Sequence, residues 1–108
     1  MTRSEGERLE DIRAAIERCR SYQDYLDSAD LGSMAYDAVL RNLAVIGEAV
    51  RALPENLKTS HAEIPWASIS GLRNVVVHEY FRVNPALIRD ILDTNLTALS
   101  AAIDDELA

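Results

Sequence analysis

The sequence predicts an all-α fold, an antiparallel bundle of four to five helices with short connections, from three observations. Apolar residues recur at three- and four-residue steps along most of the chain. Only four glycines and three prolines occur, too few to punctuate many short strands. Capping signals stand where the periodic runs begin and end. A length of 108 residues fits one domain, 1–108, with a core modest enough that a partner could add to it.

The first helix opens at Ser4, which with Glu7 fits a capping box. Leu9, Ile12, Ala15, Ile16, Cys19, Tyr22 and Leu26 form its apolar stripe, which fades at Asp27-Ser28-Ala29-Asp30. The second helix begins near Gly32-Ser33 and runs to about Leu53, where Pro54 stops it. Val39, Leu43, Ile46, Val50 and Leu53 make its stripe, with Leu40 and Gly47 beside it; Asp37, Arg41, Glu48 and Arg51 fall on another side. The polar segment from Pro54 to Ile64 reads as a loop, and His61 within it as a surface residue.

The third helix starts at Pro65, since a first-turn proline loses no hydrogen bond there. It carries Trp66, Ile69, Leu72, Val75, Val76 and Val77. Three consecutive valines also suit a strand, but the steps of three and four from Ile69 to Val76 favour a helix. Asn84-Pro85 starts the fourth helix, with Leu87, Ile88, Ile91, Leu92, Asn95, Leu96, Leu99 and Ile103 as its stripe.

A net charge of −7 speaks against strong non-specific binding to nucleic acid, which depends on neutralising phosphates. It leaves room for a local cationic site among 11 lysines and arginines. The single cysteine, Cys19, excludes an intrachain disulfide and a thiolate zinc cluster, and its place on the stripe makes it a small buried residue. The charged start of the chain lacks an apolar signal region, and no long apolar run follows. A cytoplasmic protein without membrane contact is expected.

Chemistry concentrates in Gly71-Leu72-Arg73-Asn74-Val75-Val76-Val77-His78-Glu79-Tyr80-Phe81-Arg82. At about 100° per residue from Ile69, Leu72 and Val76 sit near −60° and −20°, the buried direction. Asn74, His78 and Gly71 lie at about 140°, 180° and 200°, on the opposite face. Arg73 and Tyr80 fall near 40° and 20°, on the flank of the apolar stripe. Asn74 and His78 are i,i+4 neighbours, so the polar face suits a partner helix or a ribose-phosphate. An ordinary hydrogen-bonded surface pair has the same spacing. For Arg73 to join them it must snorkel round, or the helix must end near His78. Either way one chain holds an incomplete acid–base set, which a two-fold dimer would double.

The string Arg73-Asn74-(three residues)-His78-Glu79-Tyr80 resembles the Arg-x4-His-x-Tyr motif of HepT-like toxins in the HEPN superfamily. Asp37 to Leu43 leading to Ile46-Gly47-Glu48-Ala49 is similar to the family's second helix, and Ile64-Pro65-Trp66 with Ile69, Gly71 and Leu72 to its approach to the motif. The likeness extends from about Leu9 to Ile103. It implies a helical homodimer that cleaves RNA without a metal ion or other cofactor. It also implies a minimal nucleotidyltransferase partner, an antitoxin that silences the toxin by adding AMP to the motif tyrosine. Carried over, Arg73 and His78 are catalytic, Asn74 supports the site, and Tyr80 is the AMPylation target. Glu48 and Arg41 are secondary candidates, Glu48 as a partner of Arg73. The residue types fit the chemistry: His78 titrates near neutrality, and Arg73 can fork onto phosphate oxygens. A different class of function also fits, a non-catalytic helical module that binds a nucleotidyltransferase.

Overall fold

Ser4 caps the first helix as its spacing requires. In the computed structural model, which describes residues 3–78 and 85–108 apart from the side chains of Val75, Val77 and His78, helix α1 spans Glu5–Gln23. The Ser4 hydroxyl accepts from the Glu7 backbone N–H at 3.1 Å, and the Ser4 N–H donates to Glu7 Oε1 at 3.0 Å. That reciprocal pair satisfies two donors left open at a helix start. The Ser4 backbone N–H, more than its hydroxyl, holds the Glu7 carboxyl below its usual pKa. Leu9, Ile12, Ala15, Ile16 and Cys19 are buried, while Tyr22 and Leu26 continue the stripe as partly buried residues across the helix end.

A tight turn returns the chain into α2, Gly32–Arg51. A Cβ on Gly32 would stand 2.9 Å from the Leu26 carbonyl oxygen, so the turn needs glycine at this place. Val39, Leu40, Leu43, Ile46 and Val50 are buried, and Leu53 packs into the same core beyond the helix end. Its stripe also holds Asn42, a buried polar side chain. Asn42 Nδ2 donates to the Ala38 carbonyl at 2.8 Å, and its Oδ1 accepts from Arg18 Nε at 2.9 Å. Both ends of the amide are therefore satisfied, as burial demands.

The expected loop from Pro54 to Ile64 is instead partly helical: α3 spans Glu55–Ser60 behind an extended Pro54. Thr59 and Ser60 turn their hydroxyls back onto the carbonyls of Glu55 and Asn56, at 2.9 and 3.0 Å. One apolar residue, Leu57, anchors this helix, and one residue makes no periodicity to detect. His61 is likewise no surface residue, being only 9% exposed. Its Nε2 meets Glu106 Oε2 at 2.8 Å, and that bond, above the opposing effect of burial, raises the imidazole pKa. Trp66 Nε1 donates to the carbonyls of Lys58 and His61, at 3.0 and 2.9 Å, and so closes the α3 C-terminus.

The expected third helix is helical but divided. Pro65 caps α4, Trp66–Ser70; Gly71 follows, and α5 covers Leu72–His78. The last helical stretch runs as α6 (Pro85–Asp90), a π turn over Ile91–Asn95, and α7 (Leu96–Leu107). Arg20 on α1 donates from Nη1 to the Leu92 carbonyl at 2.6 Å and from Nη2 to Thr97 Oγ1 at 2.8 Å. A side chain that inserts into the i→i−4 ladder and a π turn are both recognised sites of helix distortion, and here the two coincide. Ile88, Ile91, Leu92, Leu96, Leu99 and Ile103 are buried as expected. Leu87 is not: it stands 49% exposed.

The central pair is α1 against α2, joined by the short turn and hence antiparallel; α7 packs on α1, and α4 and α5 pack on α2. The all-α bundle is thus observed, and no strand occurs among the described residues. Among the described residues no helix is long and apolar enough to cross a membrane.

Cys19 lies at the centre of this packing with no exposed area, and burial pushes its thiol pKa up to about 11. The thiolate is the reactive form, so the folded protein should resist thiol reagents at pH 8. Labelling with a disulfide reagent should be at least about 100-fold slower in buffer than in denaturant. Equal rates would show that the α1–α2 core opens freely.

Candidate functional site

The motif helix is placed by backbone contact. Gly47 of α2 faces the α4–α5 junction so closely that a Cβ there would stand 3.0 Å from the Arg73 nitrogen and 3.0 Å from the Ile69 carbonyl oxygen. The Ser70 carbonyl oxygen would be 3.4 Å away. Ile69, Leu72 and Val76 turn inward and are buried, which fixes the rotation of the segment. Arg73 and Asn74 are thereby exposed, in agreement with the faces read from the helical angles.

Glu48, the residue after Gly47, meets Arg73 as expected: its Oε2 lies 3.3 Å from Arg73 Nε. The pair is open to solvent, with 46% of the Arg73 side chain and 61% of the Glu48 side chain exposed. Its contribution to stability is therefore small, about 0–1 kcal/mol. Its geometric effect is larger, because it sets a carboxylate at the Nε edge of the planar guanidinium. Arg41 is exposed on α2, seven residues before Glu48 and so on the same side of the helix, about 10 Å away along its axis. No contact joins Arg41 to Arg73 among the described residues. Arg89 on α6 pairs with Asp27 at 2.6 Å.

His78 is the last residue of α5, one helical turn beyond Asn74. Its side chain, and all of Glu79, Tyr80, Phe81, Arg82 and Asn84, lie outside the described residues. Gly71, on the face of Asn74 and His78 by its helical angle, is half-buried.

Sequence reasoning missed what lies beside this site. A surface groove of about 430 Å³ between α1 and α2 is lined by Arg8, Asp11, Ala14, Arg18, Val45, Glu48 and Ala49. Arg18 is held there through Nε by buried Asn42, much as Arg73 is met through Nε by Glu48. An asparagine three residues after Val39, on the apolar stripe, was the signal that could have found it. A second, apolar pocket of about 230 Å³ lies where α1 ends and α2 begins, lined in part by Tyr25, Leu31 and Met34.

Comparison with known proteins gives these features a family. The model of the family described as ribonuclease HepT-like matches residues 12–105. The chain belongs to this HepT-like ribonuclease family. A protein named "Probable ribonuclease HepT" from Thermococcus cleftensis is 30% identical over 106 residues, covering 96% of this chain and 96% of its own. One named "Putative RNase" from Caldanaerobacter subterraneus is 32% identical over 101 residues, covering 92% of this chain and 87% of its own. Another of that name from Methanocaldococcus jannaschii is 44% identical over 55 residues, 51% of this chain and 46% of its own. No solved structure matches.

Filling the Gly47 contact should disturb the motif helix, because the atoms in the way are backbone. Gly47→Val should cost about 1–3 kcal/mol, the range for overpacking. Thermal denaturation checks this, and a melting temperature equal to that of the wild type would mean the α2–α5 contact is loose.

Proposed function

We propose that this chain, folded as one domain, is a metal-independent endoribonuclease in which Arg73 and His78 carry the reaction. The observation that supports it best is the Arg73-x4-His78-x-Tyr80 motif on and after α5, with Arg73 exposed and met at Nε. RNA brings its own nucleophile, the ribose 2′-OH. His78 takes that proton as the 2′ oxygen attacks phosphorus, and the bond to the 5′ oxygen breaks. The leaving oxygen is protonated by a second acid, for which the His78 of a second copy is suited. Arg73 forks its two terminal nitrogens onto the phosphate oxygens as charge builds there. Asn74, one turn from His78, orients the imidazole or the ribose. Glu48 holds Arg73 in reach of the phosphate.

This scheme needs two motif helices at one cleft, so the active form is a homodimer. Apolar side chains remain for a partner surface to cover: Met34 is 70% exposed, Tyr25 50% and Leu31 44%. In the cytoplasm the protein acts as the toxin of a toxin–antitoxin pair. A minimal nucleotidyltransferase neutralises it by AMPylating Tyr80. The added phosphate brings negative charge and bulk beside Arg73, repelling the substrate phosphate and occupying the guanidinium.

The test is cleavage of a defined RNA by purified protein in the presence of a chelator. Wild type should cut, and Arg73→Ala and His78→Ala should each lose at least about 100-fold in rate while keeping the wild-type melting temperature. Glu48→Gln should melt within about 2 °C of wild type yet cleave more slowly. Variants of Arg73 and His78 that cleave at the wild-type rate would overturn the assignment. Wild-type protein that leaves RNA intact would make the chain a binding module for the nucleotidyltransferase instead.

A further inference from the structure

At the far end of α7 from its start at Leu96, one imidazole is surrounded by carboxylates. His61 follows α3 directly, and its Nε2 lies 2.8 Å from Glu106 Oε2 and 3.7 Å from Asp105 Oδ2. These three donor atoms all fall within 4.8 Å of one another. On the other side of the ring, Nδ1 lies 3.9 Å from Glu63 Oε1. From this arrangement we infer a structural site for a divalent transition-metal ion of the zinc class, held by His61 Nε2, Asp105 and Glu106, which clamps the α3 segment to the end of α7.

The geometry fits with small side-chain movements. Zinc bound at about 2.0–2.2 Å by nitrogen and oxygen holds its ligands about 3.4 Å apart in a tetrahedron. The observed 2.8 and 3.7 Å separations lie on either side of that value. His61 is nine-tenths buried, so its ring is already fixed, whereas the exposed Asp105 and Glu106 are free to adjust. A fourth position stays open to water.

Glu63 supplies a second, separate feature. A metal-bound histidine almost always gives the N–H of its other nitrogen to a carboxylate or carbonyl, which fixes the tautomer and strengthens the ligand. At 3.9 Å from Nδ1 the exposed Glu63 carboxylate is not hydrogen-bonded to the ring, but a small rotation of its side chain would bring it into that role. The charge points the same way. Asp105 and Glu106 sit in the last turn of α7, the negative end of the helix dipole, and no basic residue stands in that turn. Arg13 pairs with the neighbouring Asp104 at 2.9 Å. The three carboxylates around His61 thus exceed the single charge an imidazolium could offer them. Imidazole together with two carboxylates suits zinc, and disfavours magnesium, which prefers oxygen ligands alone.

The site shares no residue with the Arg73 motif, so its test is independent of nuclease activity. The full chain is melted with and without about 100 µM zinc chloride, and with the same concentration of magnesium chloride. Zinc should raise the melting temperature by about 5 °C and magnesium should not. Titration calorimetry should find one zinc ion per chain. The double variant Asp105→Asn/Glu106→Gln changes exposed residues and keeps their shape, so it should fold; it should lose the zinc shift, while His78→Ala should retain it. A wild-type protein whose melting temperature zinc leaves unchanged would overturn the inference. An equal shift in the double variant would do the same, since the ion would then be binding elsewhere.

Discussion

Where α2 passes the junction of α4 and α5, it has no side chain to hold them off. Gly47 lets the backbone at Ile69 and Arg73 approach to distances that a methyl group would contest. That closeness sets the height of α5 above α2, while buried Ile69, Leu72 and Val76 set its rotation. Everything proposed for the site follows from those two constraints. A helix that stood further off would carry Arg73 away from Glu48, and a helix rotated by half a turn would bury Asn74. Glycine costs helix α2 about 1 kcal/mol relative to alanine. The packing of α5 offsets that cost.

The second helix also organises the charges around the site. Two arginines on two of its neighbours, Arg18 on α1 and Arg73 on α5, are each met at Nε by an α2 side chain, Asn42 and Glu48. The mechanisms differ. Asn42 is buried with both amide ends satisfied, so it is a fixed support; Glu48 is solvent-exposed and holds a direction more than it contributes energy. In a chain of net charge −7, cations oriented in this way would let the proposed phosphate contact coexist with an acidic body.

Two segments of the bundle are tied down by different means. At one, the Ser4–Glu7 box closes α1 within four residues of sequence. At the other, His61 reaches Glu106 across 45 residues of sequence, while Trp66 caps α3 from the next helix. Local ties of the first kind leave a signature in adjacent letters. Distant ones do not, which is why the segment from Pro54 to Ile64 read as an ordinary polar loop. Its buried imidazole gains its partner only when α7 returns alongside, and its buried Leu57 and Ile64 join a core that other helices build.

The motif Arg73-x4-His78-x-Tyr80 and the family it marks were legible in the letters alone, because the spacing of a motif is a local property. So were the stripes of α1 and α2, the α1 cap and the burial of Cys19, all consequences of a 3.6-residue period. Tertiary structure decided the rest. It made Gly47 the glycine at which α2 and the motif segment meet backbone to backbone. It divided the motif-bearing helix at Gly71, exposed Leu87 and opened a π turn where Arg20 takes the Leu92 carbonyl. It also turned His61 from a loop residue into the centre of a charged cluster. In each case the deciding partner lies on another helix, and a periodic pattern says which face a residue occupies but not what comes to meet it.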